Sequence, residues 1–302
     1  MRARKLLVFA FIAVSVLEAC GGSGAGDQPV IRVGSDNFYE SRLIAEIYAQ
    51  VLENEGYRVE RRLSLGTRQD RVPALEQGEV DLVPEYVGSG LGYYDTSQIT
   101  GDGETNAERL QAILGPLEIT VLEITPGEDT NTAAVRAETA EEFQLDSIGD
   151  LVAVQDELIW GLPPDCDVNP QCRGALELYG LDYPPALRES FDACEVPMAE
   201  ALNGRAIDVA WLCANQPAIV QYGFVELTDD LGTQPAENIA PLVRNELLAS
   251  LDDEETFVAL LNEVSSRLTT EELSKLGVEM EIEEREVREV ASEWLTQQGL
   301  LG

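Results

Sequence analysis

Apolar positions recur along this chain with two different periods. Over residues 40–54 they fall at Leu43, Ile44, Ile47, Tyr48, Val51 and Leu52, the single stripe of an amphipathic helix, and Gly56 stops it. Residues 31–33 before that helix, and Tyr57, Val59, Leu63 and Leu65 after it, read as strands. Residues 66–70 form a loop opening a second helix over 71–77. The next apolar run, Val80, Leu82 and Val83, predicts a buried strand that breaks at Pro84 into a glycine-rich loop reaching Gly92. A helix over 104–114 and a strand over 119–124 follow, then the punctuation Pro126-Gly127-Glu128-Asp129. Beyond it the pattern predicts a strand over 133–135, an acidic helix near Ala140, a strand over 151–154 and a helix over 173–179. After Thr233 come a strand over 239–243 and helices over 253–268 and 283–297, with another helix start at Thr269.

Strands alternating with helices predict an α/β protein whose sheets are mostly parallel and covered on both faces. In such sheets ligands bind beyond the carboxyl ends of the strands, which here means the loops 34–39, 65–70 and 84–92. A second copy of the pattern lies downstream. Residues 74–83 align without gaps on residues 201–210, matching Ala-Leu, a β-branched residue and an aspartate. Each half therefore carries a helix, a tight turn and a strand aimed at a shared cleft. The reading is two lobes, residues 29–128 with 233–302 and residues 129–232, joined by two chain crossings that permit hinge closure.

Composition narrows the function. The 302 residues are 44% hydrophobic, enough for full cores, and carry a net charge of −36, which repels nucleic acid and anionic lipid. Histidine is absent, so Ser-His-Asp and Cys-His catalysis are excluded, and Gly88-Ser89-Gly90 lacks the lysine of a phosphate-binding loop. The chain therefore reads as a binding protein and not an enzyme. At the amino end Arg2, Arg4 and Lys5 precede an apolar segment too short to remain in a bilayer, an export signal. Leu17-Glu18-Ala19-Cys20 resembles the lipobox of bacterial lipoproteins. That resemblance implies a signal peptide over 1–19, lipidation of Cys20 at the outer face of the cell membrane, and a tether over 20–28; an ordinary cleaved signal peptide is the alternative. The other four cysteines suit two disulfides in an oxidising compartment, Cys166 with Cys172 locally and Cys194 with Cys213 across a lobe. A four-thiolate metal site is the alternative, disfavoured because no CxxC spacing occurs.

The predicted loops bring aromatic faces beside acids: Tyr39, Tyr86, Tyr93, Tyr94, Trp211 and Tyr222 with Asp36, Glu85 and Asp129. Aromatic faces attract quaternary ammonium cations, each contact contributing about 0.5–2 kcal/mol.

Gly34-Ser35-Asp36-Asn37-Phe38-Tyr39-Glu40-Ser41, residues 63–67, residues 78–82 with Pro84-Glu85-Tyr86-Val87-Gly88-Ser89-Gly90-Leu91, Tyr179-Gly180-Leu181 and residues 235–247 together resemble the glycine betaine/choline/osmoprotectant substrate-binding proteins of ABC transporters. The resemblance implies a periplasmic-binding-protein-like fold of type II, with two mixed sheets flanked by helices and a ligand cleft between the lobes. Such a protein captures a quaternary ammonium osmolyte as a monomer, without cofactor or metal, and hands it to permease subunits in the membrane. By the same resemblance Tyr86 and Tyr222 take cage positions and Ser89 a ligand-facing hydroxyl position; Asn37, Tyr39, Asp129 and Trp211 complete the candidate set. Asp36 stands where many members carry lysine, Thr132 and Cys213 where others place cage aromatics, Gln216 at a frequent aspartate and Tyr39 at a usual threonine. Without that lysine the expected ligand shifts from betaine to choline or another cation lacking a carboxylate. The same fold holding an amino acid, a polyamine or another small polar solute is the alternative.

Overall fold

From its amino end the described chain lays down β1 (Val30–Gly34), α1 (Tyr39–Asn54), β2 (Arg58–Arg62), α2 (Arg68–Glu76), β3 (Leu82–Tyr86), α3 (Val87–Tyr94), α4 (Gly103–Leu114) and β4 (Ile119–Val121). It crosses to form β5 (Asn131–Val135), α5 (Ala137–Phe143), β6 (Trp160–Leu162), α6 (Ala175–Tyr179), β7 (Arg188–Ser190), α7 (Val196–Asn203), β8 (Val209–Cys213), α8 (Pro217–Tyr222) and β9 (Val225–Leu227). A second crossing returns as β10 (Ile239–Arg244), then α9 (Asn245–Leu248), α10 (Glu254–Arg267), α11 (Thr270–Gly277) and α12 (Val287–Gln297). This computed structural model describes residues 29–164, 166–191, 196–214 and 216–301; the predicted signal peptide, Cys20 and Cys194 lie outside the described residues.

The strands form two mixed sheets, β2-β1-β3-β10-β4 and β7-β6-β8-β5-β9. Position by position the directions agree: the first three strands of each order are parallel, and the fourth runs antiparallel to its neighbours. The internal repeat has a physical counterpart. Asp81 accepts the amide of Arg32 at 2.9 Å and returns its own amide to the Arg32 carbonyl at 2.7 Å, fastening β1 to the turn before β3. Asp208 does the same for Ile159 beside β6, at 3.0 and 2.7 Å. Each aspartate is also paired with an arginine, Arg32 at 2.6 Å in one lobe and Arg136 at 2.7 Å in the other.

Both faces of each sheet are covered. In the first lobe α1, α10, α11 and α12 pack on one side and α2, α3 and α4 on the other. In the second, Val209 and Trp211 of β8 face the cluster containing Trp160 and the Cys166–Cys172 disulfide, while Ala210 and Leu212 face α7 and α8. Cys213 is also disulfide-bonded.

Four expected features differ. The strand over 151–154 is a helical turn, Ile148–Ala153, because the Asp150 carboxylate accepts the amides of Asp146 and Ser147 at 3.0 and 2.8 Å and bends the chain; the strand comes at Trp160. β3 does not break at Pro84. The amide of Arg244 bonds to Asp81 and that of Val87 to Asn238, so the ladder bonds fall at odd positions of β3, and Pro84 opposes Pro241 where neither amide is used by the other strand. The glycine-rich segment after it is a helix. A Cβ at Gly88 would meet the Ala236 carbonyl oxygen at 2.6 Å, and one at Gly90 the Glu85 side chain at 2.8 Å, so these glycines serve close approach and not flexibility. The last helix begins at Val287 instead of 283, after a wide turn over Val278–Ile282.

Replacing Asp81 by alanine leaves Arg32 and the Arg244 guanidinium, 3.6 Å away, without their common acceptor. Thermal unfolding followed by circular dichroism should show a midpoint about 5–10 °C lower, the equivalent of roughly 2–3 kcal/mol. An unshifted midpoint would show that the clamp contributes no stability.

Candidate functional site

The two chain crossings run side by side between the sheets. Glu128 and Asn238 form an antiparallel bridge, the Asp129 amide donates to the Glu237 carbonyl at 3.2 Å, and the Thr130 hydroxyl donates to the Pro235 carbonyl at 3.0 Å. Loops at the carboxyl ends of β1 and β3, with the start of α2, meet the carboxyl end of β8 beside this hinge. Two adjoining cavities lie there. The larger, about 490 Å³, is lined by Asn37, Phe38, Tyr39, Glu40, Arg42 and Glu281 from the first lobe, Asp129 from the crossing, and Cys213, Gln216 and Pro217 from the second lobe. The smaller, about 190 Å³, is lined by Arg68, Tyr86, Ser89, Asn131, Gln171 and Glu237, and shares Phe38 and Asp129 with the larger. Wider grooves along α10 and between α1 and α12 are open, acid-rich and remote from the hinge. The lobes already touch at one rim: a Cβ at Gly277 of α11 would lie 2.7 Å from Pro217 of α8 and 2.9 Å from the Tyr39 ring.

Aromatic and acidic groups make the first wall. Phe38 is 44% exposed and its ring lies 5.7 Å from that of Tyr86, tilted by 42°. Tyr86 is buried and donates a short hydrogen bond to the buried Glu40 carboxylate. Burial pushes the Glu40 carboxyl up to about 7, against the lowering effect of that bond. The Tyr39 hydroxyl is pushed well above its ordinary value by burial and then by the charges of Glu40, Asp129 and Glu281. Neutral phenols beside negative charge favour a cation over the ring faces.

Charged groups of the smaller cavity are tied down differently. Arg68 donates from Nε and Nη2 to Glu85 at 3.2 and 3.0 Å, and Arg71, fully buried, bridges Glu85 at 2.9 Å and Asp36 at 2.8 Å. Against burial, Arg68 and Arg71 hold the Glu85 carboxyl down to about 2. A guanidinium has five donors, so Arg68 can still meet an acceptor on the cavity side. Glu237 is buried and accepts the Ser89 amide at 2.9 Å and its hydroxyl at 2.5 Å; burial pushes its carboxyl up to about 7, with Ser89 and Arg68 opposing. The Cys166–Cys172 disulfide closes the loop that presents Gln171, whose carbonyl accepts from the Gln234 side chain at 3.0 Å.

Of the residues expected from the sequence, Asn37, Tyr39 and Asp129 line the larger cavity, and Tyr86, Ser89 and Asp129 the smaller. Trp211 is 4% exposed in the core of the second lobe because both faces of β8 are covered there, while Cys213, on the same face but at the strand's end, reaches the cleft. Tyr222 packs against Phe224 with ring centroids 5.5 Å apart and lines neither cavity. Phe38, Arg68 and Glu237 are among the lining residues that sequence reading missed, with Arg42, Glu281, Asn131 and Gln171. Phe38 and Arg68 stand in two of the loops expected to border the cleft; Glu237 lies in the returning crossing and carries no local signal.

Residues 29–297 match the family model described as the substrate binding domain of ABC-type glycine betaine transport systems. The chain is 27% identical over 300 residues to a glycine-betaine-binding protein of Pseudomonas aeruginosa, covering 95% of this chain and 94% of that one. It is 25% identical over 284 residues to the glycine betaine-binding protein YehZ of Escherichia coli, with 89% and 90% covered. The solved structure of apo YehZ superposes with a TM-score of 0.78 at 23% identity, covering 89% of this chain and 99% of that one. A glycine betaine/carnitine/choline ABC transporter structure does so at 0.81 and 20%, covering 90% and 100%. These two likenesses show the two-lobed fold.

Glu40 and Glu237, raised to about 7 from 4.5, hold protons more tightly folded than unfolded. Their contribution to stability is complete below the unfolded value and is lost as pH rises through about 7. The double variant Glu40→Gln, Glu237→Gln should therefore show a shallower decline of the unfolding midpoint between about pH 5 and 7.5 than the unaltered chain. Equal slopes would mean that these carboxyls titrate as ordinary ones.

Proposed function

The chain belongs to the family of substrate binding domains of ABC-type glycine betaine transport systems, and on that premise we propose that its cleft takes a zwitterionic quaternary amine of the glycine betaine class. The family is a solute-binding component of transporters and not an enzyme family. The ammonium group lies against Phe38, Tyr39 and Tyr86 with Asp129 and Glu40 nearby, and the carboxylate points to Arg68, with Ser89, Asn131 and Gln171 bordering it. The observation that carries this reading is the presence of Arg68 in a small polar cavity that adjoins an aromatic and acidic one. The shift towards a ligand without a carboxylate rested on the aspartate at position 36. Asp36 turns to Arg71 and lines neither cavity, and Arg68 supplies the missing cation from the start of α2.

Both walls of the cleft come from one chain, which supports a monomer closing about its hinge and passing the solute to permease subunits, with no cofactor or catalytic step. Trp211 and Tyr222 act through the packing of the second lobe. The basic leader, the apolar segment and Leu17-Glu18-Ala19-Cys20 support anchoring by lipid on Cys20 at the outer face of the cell membrane. No helix among the described residues is long and apolar enough to cross a membrane.

Calorimetry should show glycine betaine binding more tightly than choline, and Arg68→Met lowering betaine affinity about 10- to 100-fold with a far smaller effect on choline. Tighter choline binding by the unaltered chain would sink the zwitterion reading. Globomycin, which blocks lipoprotein signal processing, should make a slower-migrating precursor accumulate in a mobility assay; no precursor build-up would rule out the lipid anchor.

A further inference from the structure

Arginine at the rim of an open cleft is a poor selector unless something fixes its head, because the side chain has many rotamers of similar energy. In this protein the fixing group is visible. Glu85, 1% exposed near the end of β3, accepts from Arg68 at 3.0 Å, from Arg71 at 2.9 Å and from the Tyr86 amide at 2.9 Å, so both of its oxygens are engaged. It is held from behind as well. A Cβ on Gly90 would lie 2.8 Å from the Glu85 Cγ, so the glycine in α3 leaves room for that side chain to fold back beneath the helix.

The charges form a row of alternating sign: Asp36, Arg71, Glu85, Arg68. The first three are buried, and of the four only Arg68 lines a cavity. Arg71 has no exposure and its Nη1 has no hydrogen-bond partner among the described residues, a costly arrangement for a group that served only to fill space. Its Nε and Nη2 instead join Asp36 to Glu85, so Glu85 is shared between two guanidiniums and leaves Arg68 incompletely neutralised.

We propose that Glu85 is a positioning residue for ligand selection: backed by Arg71 and Asp36, it holds the Arg68 guanidinium at the smaller cavity so that a carboxylate-bearing quaternary amine is preferred over one without a carboxylate. This inference rests on the zwitterion reading of the cleft and adds the device that sets its selectivity. Glu85 touches no ligand, and its effect passes through Arg68. A partner present only to stabilise the lobe would change affinity for every ligand alike, or change stability alone.

Two variants separate these roles. Glu85→Gln keeps the size and the acceptor for the Tyr86 amide but removes the charge; Gly90→Ala keeps every charge but displaces the Glu85 side chain. Titration calorimetry with glycine betaine and with choline, alongside melting curves, is expected to show the betaine-to-choline affinity ratio falling about ten-fold in both variants. An unchanged ratio in a folded variant, or a parallel loss of both affinities, overturns the role of Glu85. If Glu85→Gln does not fold, Gly90→Ala decides alone. A ratio lost in Arg68→Met but kept in both variants overturns this inference and leaves the zwitterion reading standing; absence of betaine binding to the unaltered chain overturns both.

Discussion

A chain that crosses twice between two sheets must carry both crossings through one narrow place, and here they are bonded to each other. The bridge between Glu128 and Asn238, with the bonds from Asp129 to Glu237 and from Thr130 to Pro235, makes a short two-stranded connector. Each crossing then leads straight into a strand inserted antiparallel in the interior of its sheet, β5 in one lobe and β10 in the other. Any bending at the connector would carry whole lobes with it, since the sheets beyond it are paired on both sides and covered by helices. Asp129 and Glu237 lie on this connector and also line the cleft, and Asn131, which lines it too, opens β5 directly after it.

Electrostatics inside the cleft follow from local pairing and not from the overall charge. The chain as a whole is strongly acidic, with a net charge of −36, and yet its buried arginines are matched to particular carboxylates. Glu85 stays ionised between two guanidiniums, whereas Glu40 and Glu237, buried among hydroxyls, are pushed towards their neutral forms. The result is a cleft whose larger cavity sets aromatic rings among Glu40, Asp129 and Glu281 with Arg42, and whose smaller cavity sets Arg68 beside Ser89 and Glu237.

Much of the architecture was legible in the pattern of residues. The stripe from Leu43 to Leu52 is α1, and the shared aspartate of the two repeats, Asp81 and Asp208, performs the same clamp in both lobes. Locally misleading signals account for the failures. Leu151 and Val152 look like a strand, but the carboxylate of Asp150 just before them, accepting the amides of Asp146 and Ser147, turns them into a helical turn. Pro84 looks like a break because its missing amide is harmful only in a bonded pair, and the partner strand that makes it harmless, β10, is more than 150 residues away. Gly88 and Gly90 look flexible because the carbonyl and the carboxylate that require them come from other elements.

The sequence by itself determined the two-lobed α/β class, the loops that border the cleft and the aromatic and acidic groups they bring, because periodicity, turn residues and side-chain type are properties of neighbouring positions. It could not place Trp211, whose face depends on the register of β8 in its sheet, nor assign the cation of the cleft. That assignment was decided in three dimensions. Asp36 and Arg68 are both polar residues in predicted loops, and only packing of Arg71 between Asp36 and Glu85 turns the first away from the cleft and leaves the second facing it.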